Sequence, residues 1–222
     1  MSANKLYWLY GPFFLFFVQI AIEILADKPM KRALLDEGGI HEGLQALVML
    51  VGAILAARLL CAVKGAWLKI WYGIAFVGCF YVTGEEVSWG QWIFNWDTPE
   101  NWGKINDQNE TNLHNISGWF DQKPQALLQF GVLVGGIVIP LLGALAPHRL
   151  PERFAAIYGG LDLLPVASIA LLLKMIDTIC DRLDITVFYR TSEVLELFIY
   201  YFVALYLYTM SLKLNRLPSA PK

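Results

Sequence analysis

Charge is scarce in this chain. Of its 222 residues 16% are charged, 57% are apolar, and mean hydropathy is +0.49. An ordinary soluble domain carries about 25% charged residues. This balance excludes a disordered chain and a nucleic-acid binder held by basic charge; the net charge is −2. Cysteine is scarce too. Cys61, Cys79 and Cys180 are scattered, with no CxxC and no Cys/His zinc spacing, which excludes a disulfide scaffold and leaves buried structural thiols as the expectation. Histidine numbers three. The sequence has no fixed-period repeat, low-complexity tract or alternating barrel pattern. It has no Walker loop, HExxH or nucleophile elbow either. Lys5 precedes a long apolar run, but Ala21 and Ala26 flank Glu23, a poor cleavage site. That run reads as a first membrane helix, not a removed leader.

What the chain has is length in apolar runs. A membrane helix needs about 20 mainly apolar residues. Six stretches meet this: 6–26, 43–63, 65–84, 126–147, 154–176 and 194–212. Backbone inside lipid must satisfy its own hydrogen bonds, so the spans are helices. The expected fold is all-α: one polytopic membrane bundle of six transmembrane helices over residues 1–222, with an interfacial helix after the third. Short connectors make antiparallel hairpins of spans two and three, and of four and five. One long connector, 85–125, is the place for function.

Six spans put both termini at one end. That end carries nine basic residues and, Asp162 aside, one acid, Glu152. The opposite end carries eight basic residues and seventeen acids. The basic residues at the termini's end are packed into shorter segments, so the positive-inside rule places it in the cytoplasm of a plasma (inner) membrane. The acidic end then faces outward.

The chemistry-bearing residues gather at the acidic end. Asp36-Glu37-Gly-Gly-Ile-His41-Glu42 precedes span two, Glu85-Glu86-Val-Ser88-Trp89-Gly-Gln91 ends span three, and Asn109-Glu110-Thr-Asn112-Leu-His114-Asn115 lies in the long connector. Glu110 and His114 are four apart and share a face if helical; Glu37 and His41 repeat the spacing, though Gly38 and Gly39 oppose a helix there. Asp177, Asp181 and Asp184 also share a helical face. Carboxylates and imidazole converging from helix ends are a ligand set for a divalent metal, Zn, Mn or Fe, with Glu110, His114, Glu86, Glu37 and His41 as ligands. The plainer reading is a solvated acidic face with ion pairs to Arg182 and Arg190 and with Glu193 and Glu196 at a helix start.

Glu85 and Glu86, side by side near low dielectric, favour sharing a proton and suit acid–base work, with His114 as a third catalytic candidate. On a helix they diverge by about 100°, so one can be buried and the other wet. Trp89, Trp92 and Trp96 fall on one stripe and predict a helix extending span three or lying on the membrane surface. Asp162 is placed eight residues inside span five, with Pro165 as a kink. Gly131-x-x-x-Gly135 predicts close helix packing. Asn109-Glu-Thr111 and Asn115-Ile-Ser117 fit glycosylation sequons.

The strings Gly84-Glu-Glu-Val-Ser-Trp-Gly-Gln91 and Asn109-Glu-Thr-Asn-Leu-His-Asn115 resemble a pattern in uncharacterised bacterial multi-pass membrane proteins. The resemblance covers roughly residues 36 to 115. It brings no activity with it and implies only that Glu85, Glu86, Gln91, Glu110 and His114 act as a group. Three functions compete. The first is a membrane enzyme acting at the outer face on a lipid or lipid-linked substrate. The second is a non-catalytic scaffold whose connector docks a protein partner outside. The third is a proton- or cation-coupled permease using Asp162. Membrane lipids are expected partners in each; nucleic acid is not.

Overall fold

The structure is a computed structural model that describes residues 3–36, 39–106, 110–113 and 118–215. Glu37, His114 and both sequon asparagines lie outside the described residues. Among the described residues there are helices and no strands. Six helical segments are long and apolar enough to cross a bilayer: Leu6–Leu25, Lys28–Ala62, Ala66–Glu86, Lys123–Leu145, Leu161–Leu183 and Thr191–Leu214. This is the make-up of a multi-pass membrane protein.

The first segment is a π turn, Leu6–Tyr10, running into α1, Gly11–Leu25. The second divides into α2, Lys28–Leu35, and α3, Ile40–Ala62. Asp27 caps α2, its side chain accepting the Met30 N–H at 2.9 Å. α3 turns into α4, Ala66–Glu86, through Gly65 at φ +98°, a conformation that glycine adopts without steric cost. Small residues let this hairpin close: Gly52 faces Cys79, and a Cβ there would sit 3.1 Å from the thiol sulfur. Cys79 and Cys180 are buried as expected, whereas Cys61 is exposed near the end of α3.

The connector holds two single turns, α5 (Gln91–Phe94) and α6 (Glu100–Gly103). The fourth span is α7 (Gly118–Val132), a π-helical stretch Leu133–Val138, and α8 (Ile139–Leu145). Pro140 has no N–H to offer the preceding turn, which accounts for the wider winding before it. Close packing comes from Gly136. A Cβ on Gly136 would lie 2.5 Å from Ala167 and 2.7 Å from Phe202, whereas one on Gly131 meets nothing within 4 Å. The packing therefore rests on Gly136, and the predicted Gly131 partner plays no part in it.

The fifth span starts later than its hydropathy predicts. Residues Glu152–Ile157 form a 3₁₀ stretch, and α9 runs Leu164–Leu183 after a 3₁₀ turn at Leu161–Leu163. Pro165 is thus a first-turn proline, where its missing N–H costs nothing, and not a kink. Asp162 sits ahead of the helix instead of deep inside it, accepting the Ala3 N–H at 2.9 Å. The last span, α10 (Thr191–Leu214), is the central helix, with ten buried residues from Val194 to Met210 packed against α3 and α9. α1 is the peripheral one, and its exposed Phe13, Phe14, Phe17 and Leu25 suit lipid contact.

Long-range bonds tie each end separately. At the termini's end, Tyr206 donates to the Ile157 carbonyl at 2.9 Å and Lys213 to that of Ala155 at 2.6 Å. At the acidic end, Glu23 pairs with Lys31 and accepts the Tyr189 N–H at 2.9 Å. The Tyr189 phenol donates to Asp36 at 2.7 Å, and Arg190 bonds Glu193 at 3.0 Å.

Two predictions follow from this packing. Gly136→Val should cost about 1–3 kcal/mol through overpacking, while Gly131→Ala stays within about 0.5 kcal/mol of wild type, both read by unfolding in detergent. The hydrogen bond that Tyr189 donates to Asp36 raises its phenol above the ordinary value. A raised folded value stabilises below the unfolded phenol range and is lost as pH rises through the folded one. The melting advantage of wild type over Tyr189→Phe should therefore persist at neutral pH and vanish beyond about pH 10.

Candidate carboxylate pocket

α4 delivers two glutamates to the acidic end, and the helix angle separates them. Glu85 and Glu86 are both buried, at 4% and 9% exposure. Glu85 faces the connector. Its Oε1 accepts the Trp89 indole N–H at 2.6 Å and its Oε2 the Leu113 backbone N–H at 2.7 Å; the Tyr81 phenol is a further partner. Glu86 faces the bundle, where its Oε1 accepts the Tyr200 hydroxyl at 3.1 Å.

The chain reverses immediately after α4, and Trp89 bonds Glu85 from within the reversal. Ser88, Trp89 and Gly90 have φ of 45°, 54° and 101°. Positive φ is uncommon for residues other than glycine, and such strain collects where a fold holds a functional arrangement. The reversal lays the indole on Gly84, where a Cβ would stand 2.9 Å from the ring. The continuous helix expected over residues 86 to 96 is therefore absent. α4 stops at Glu86, and α5 is one turn ending at Asn95, itself left-handed at φ 52°. The tryptophan stripe is broken, because Trp89 belongs to the reversal and Trp96 stacks on Phe94.

The connector closes over this end as a hydrogen-bonded knot. Glu110 Oε2 accepts from Ser88 Oγ at 2.6 Å and from Asn112 Nδ2 at 2.7 Å. Asn106 is buried and donates to the Asn112 side chain at 2.8 Å. Thr111 donates its N–H to Gln91 Oε1 at 2.8 Å and its hydroxyl to the Ser88 carbonyl at 2.9 Å. Glu110–Leu113 is not helical, so the one-face argument for spacing four does not apply to Glu110. Of the residues expected to act as a group, Gln91 and Glu110 lie in the knot and Glu86 does not; the structural parts of Asn106 and Asn112 were missed, their only signal being polar residues among tryptophans.

Beneath the knot lies a cavity of about 60 Å³, its polar lining Tyr81, Glu85, Glu86, Gln125, Glu196 and Tyr200, its apolar wall Val82, Pro124, Leu128 and Ile199. That volume exceeds what one water needs. Gln125 donates to Glu196 Oε1 at 2.7 Å. Four helices thus contribute: α4, α7 and α10 directly, and α3 by packing between α4 and α10. Three carboxylates, two phenols and an amide can donate, accept and exchange protons on a small group held there. Tyr200 and Gln125 were missed in the sequence; Tyr200 lies one helical turn beyond Glu196, which was the available signal.

The remaining candidates lie elsewhere. Glu110 belongs to the knot and does not line the cavity. His41 is buried in the first turn of α3, with the charge of Arg190 near it. Asp177 pairs with Lys174 at 2.9 Å, and Asp184 has left the helix at φ 52°, which breaks the predicted aspartate face. Among the described residues, no group of three or more His, Cys, Asp or Glu is arranged to hold a metal.

The fold and pocket define a class: an all-α, multi-pass membrane bundle with a buried carboxylate pocket under a folded connector. No protein-family model matches the chain, and neither the curated proteins nor the solved structures give a significant match.

Asn112→Ala removes the amide that joins Glu110 to Asn106. Amide hydrogen exchange at Leu113 is expected to quicken about tenfold or more, equivalent to 1–3 kcal/mol of lost local stability. Lys104→Ala, which opens only the exposed pair with Glu100, should leave that rate unchanged.

Proposed function

We propose that this chain is a membrane enzyme that uses the pocket at the end of α4 for acid–base chemistry on a lipid or lipid-linked substrate. The observation that carries the reading is the Glu86–Tyr200 contact, a carboxyl and a phenol at hydrogen-bond distance lining a cavity with both polar and apolar side chains. A carboxyl and a phenol side by side can take a proton from water as it attacks the substrate and return one to the departing group, a hydrolysis that leaves the water oxygen on one product. The apolar wall suits the alkyl part of an amphiphile, and the polar lining suits its head. On the positive-inside argument the pocket opens at the extracytoplasmic face of a plasma (inner) membrane, with both termini in the cytoplasm.

The Zn, Mn or Fe ligand set expected from the sequence is not gathered among the described residues, since Glu86 lines the cavity, Glu110 bonds Ser88 and Asn112, and His41 lies in the first turn of α3, with Glu37 and His114 outside the described residues; metal dependence is a separate form of the proposal. The scaffold alternative, with a protein partner on the connector, draws support from the knot. The permease alternative loses support, because Asp162 lies at a helix start, bonded to Ala3.

The test is to incubate the purified chain with a total membrane lipid extract in H₂¹⁸O and to follow consumption and ¹⁸O uptake by mass spectrometry. Wild type should convert one lipid class. Glu86→Gln and Tyr200→Phe should lower the rate by about 10²–10⁴-fold. Conversion that a chelator stops and one of the three metals restores identifies the metal-dependent form. A lipid pool unchanged by wild type, or equal rates in Glu86→Gln, removes the enzyme reading.

A further inference from the structure

The end of the bundle that holds the termini has a cavity of its own, of about 280 Å³, with Tyr158, Gly159, Gly160, Asp162, Met210 and Lys213 in its lining. It is remote from the carboxylate pocket. Tyr200 and Lys213 both stand on α10, and the 13 residues between their positions span about 20 Å of helix axis at 1.5 Å per residue. A single water needs only about 10–15 Å³, so this space takes a guest of several heavy atoms.

Two opposite charges line the space without meeting each other. Asp162 is half-buried in the 3₁₀ turn before α9. Its Oδ2 accepts the Ala3 N–H at 2.9 Å, and its Oδ1 has no hydrogen-bond partner among the described residues. Lys213, in the last turn of α10, donates to the carbonyls of Ala155 at 2.6 Å and Tyr158 at 3.4 Å. These neutral acceptors position the ammonium, leave its charge uncompensated and leave one of its three N–H donors over. Among the described residues, no ion pair joins Asp162 or Lys213 to each other or to any other group. The chain between Tyr158 and Asp162 is Gly159-Gly160, and neither glycine N–H has an acceptor among the described residues.

The arrangement discriminates among guests. A lone anion would meet Lys213 and the glycine N–H groups but would also face Asp162, and a lone cation would meet the reverse. A zwitterion serves both ends. The open carboxylate oxygen calls for an N–H, which a primary ammonium has and a quaternary one lacks. A quaternary ammonium is held by a cage of aromatic faces, and Tyr158 is the one aromatic side chain in this lining. The same end carries the aromatic and cationic groups of a headgroup layer: Trp67 packs edge-on against Phe154 with ring centroids 6.0 Å apart, and Arg153 lies over the Phe154 ring at 4.5 Å.

We propose that this cavity binds a zwitterion made of a phosphate and a primary ammonium, the phosphoethanolamine head of a membrane lipid or the same compound free. The phosphate meets Lys213 and the Gly159 and Gly160 N–H groups, and the ammonium meets Asp162 Oδ1. The site is independent of the acid–base reading of the carboxylate pocket.

The experiment uses the full chain in detergent micelles. It is offered phosphatidylethanolamine, phosphatidylcholine and phosphatidylglycerol with identical acyl chains, and bound lipid is read by native mass spectrometry. Wild type should take the ethanolamine lipid at least about fivefold more readily than either of the others. Stepwise methylation of the lipid amine should weaken binding at each step, a series that needs no variant. Asp162→Asn retains an acceptor for the Ala3 N–H and should erase the preference over the glycerol lipid. Lys213→Gln should weaken the ethanolamine and glycerol lipids alike. Free phosphoethanolamine forms the second arm: displacement of the lipid by it assigns the head alone, and retention of the lipid assigns the whole amphiphile. Equal uptake of the three lipids by wild type, or an unchanged preference in Asp162→Asn, overturns the site. Neither result bears on the lipid-conversion experiment, which reads Glu86 and Tyr200 at the opposite end.

Discussion

Inside hydrocarbon there is no water to satisfy a backbone N–H or carbonyl, and the organisation of this protein follows from that constraint. The spans must complete their hydrogen bonds internally, so regular helix fills the membrane and irregular chain is expelled to the two ends. Side chains that need partners follow the same logic. The long-range polar bonds gather in two groups, one around Asp162, Ile157 and Lys213, the other around Glu23, Asp36, Glu86 and Glu196. A buried carboxylate at a helix end is affordable only with donors supplied by neighbouring chain, and Glu85 has them in the Trp89 indole and the Leu113 N–H.

The reversal after α4 gives the indole donor its place. In a continued helix Trp89 would lie one turn beyond Glu85 on the same face. Folding back through Ser88, Trp89 and Gly90 sets the indole over Gly84 and within reach of the carboxylate. The strain of two non-glycine residues at positive φ is offset by the bonds formed around it, because Ser88 also holds Glu110 and accepts from Thr111. Local backbone cost and the polar knot are two sides of one arrangement, and the pocket lies directly beneath it.

The fold was legible wherever composition alone decides. Four of the six helical segments match the expected spans to within about three residues, and α3 does so inside the longer second segment, since a long apolar run leaves a chain in lipid no other structure. The fifth was misplaced because Phe154–Tyr158 is apolar enough to extend the run, while Gly159-Gly160 and Pro165 mark a start further on. Pro165 carries both meanings, kink or first turn, and only the position of the helix start separates them. The glutamate pair at the span end was legible because two acids follow an apolar span directly, but the expectation of one buried and one wet member is not met, since both are buried. Tyr200 and Gln125 were not legible, since their partners lie 114 and 71 residues away in the chain. Hydropathy records which residues enter the bundle and says nothing about which helices become neighbours.

The two glutamates then differ by construction. Glu85 is occupied on both oxygens by groups fixed in the connector, which makes it part of the frame. Glu86, one residue later and about 100° round the helix, meets a phenol and a cavity. Adjacent identical residues are thereby given separate tasks by helix geometry, one holding the knot closed and the other facing whatever enters beneath it. A carboxyl placed against a hydroxyl beside a cavity of mixed polar and apolar lining carries a desolvation cost that bracing two helices does not require. An apolar pair would brace them without the desolvation cost of a carboxyl.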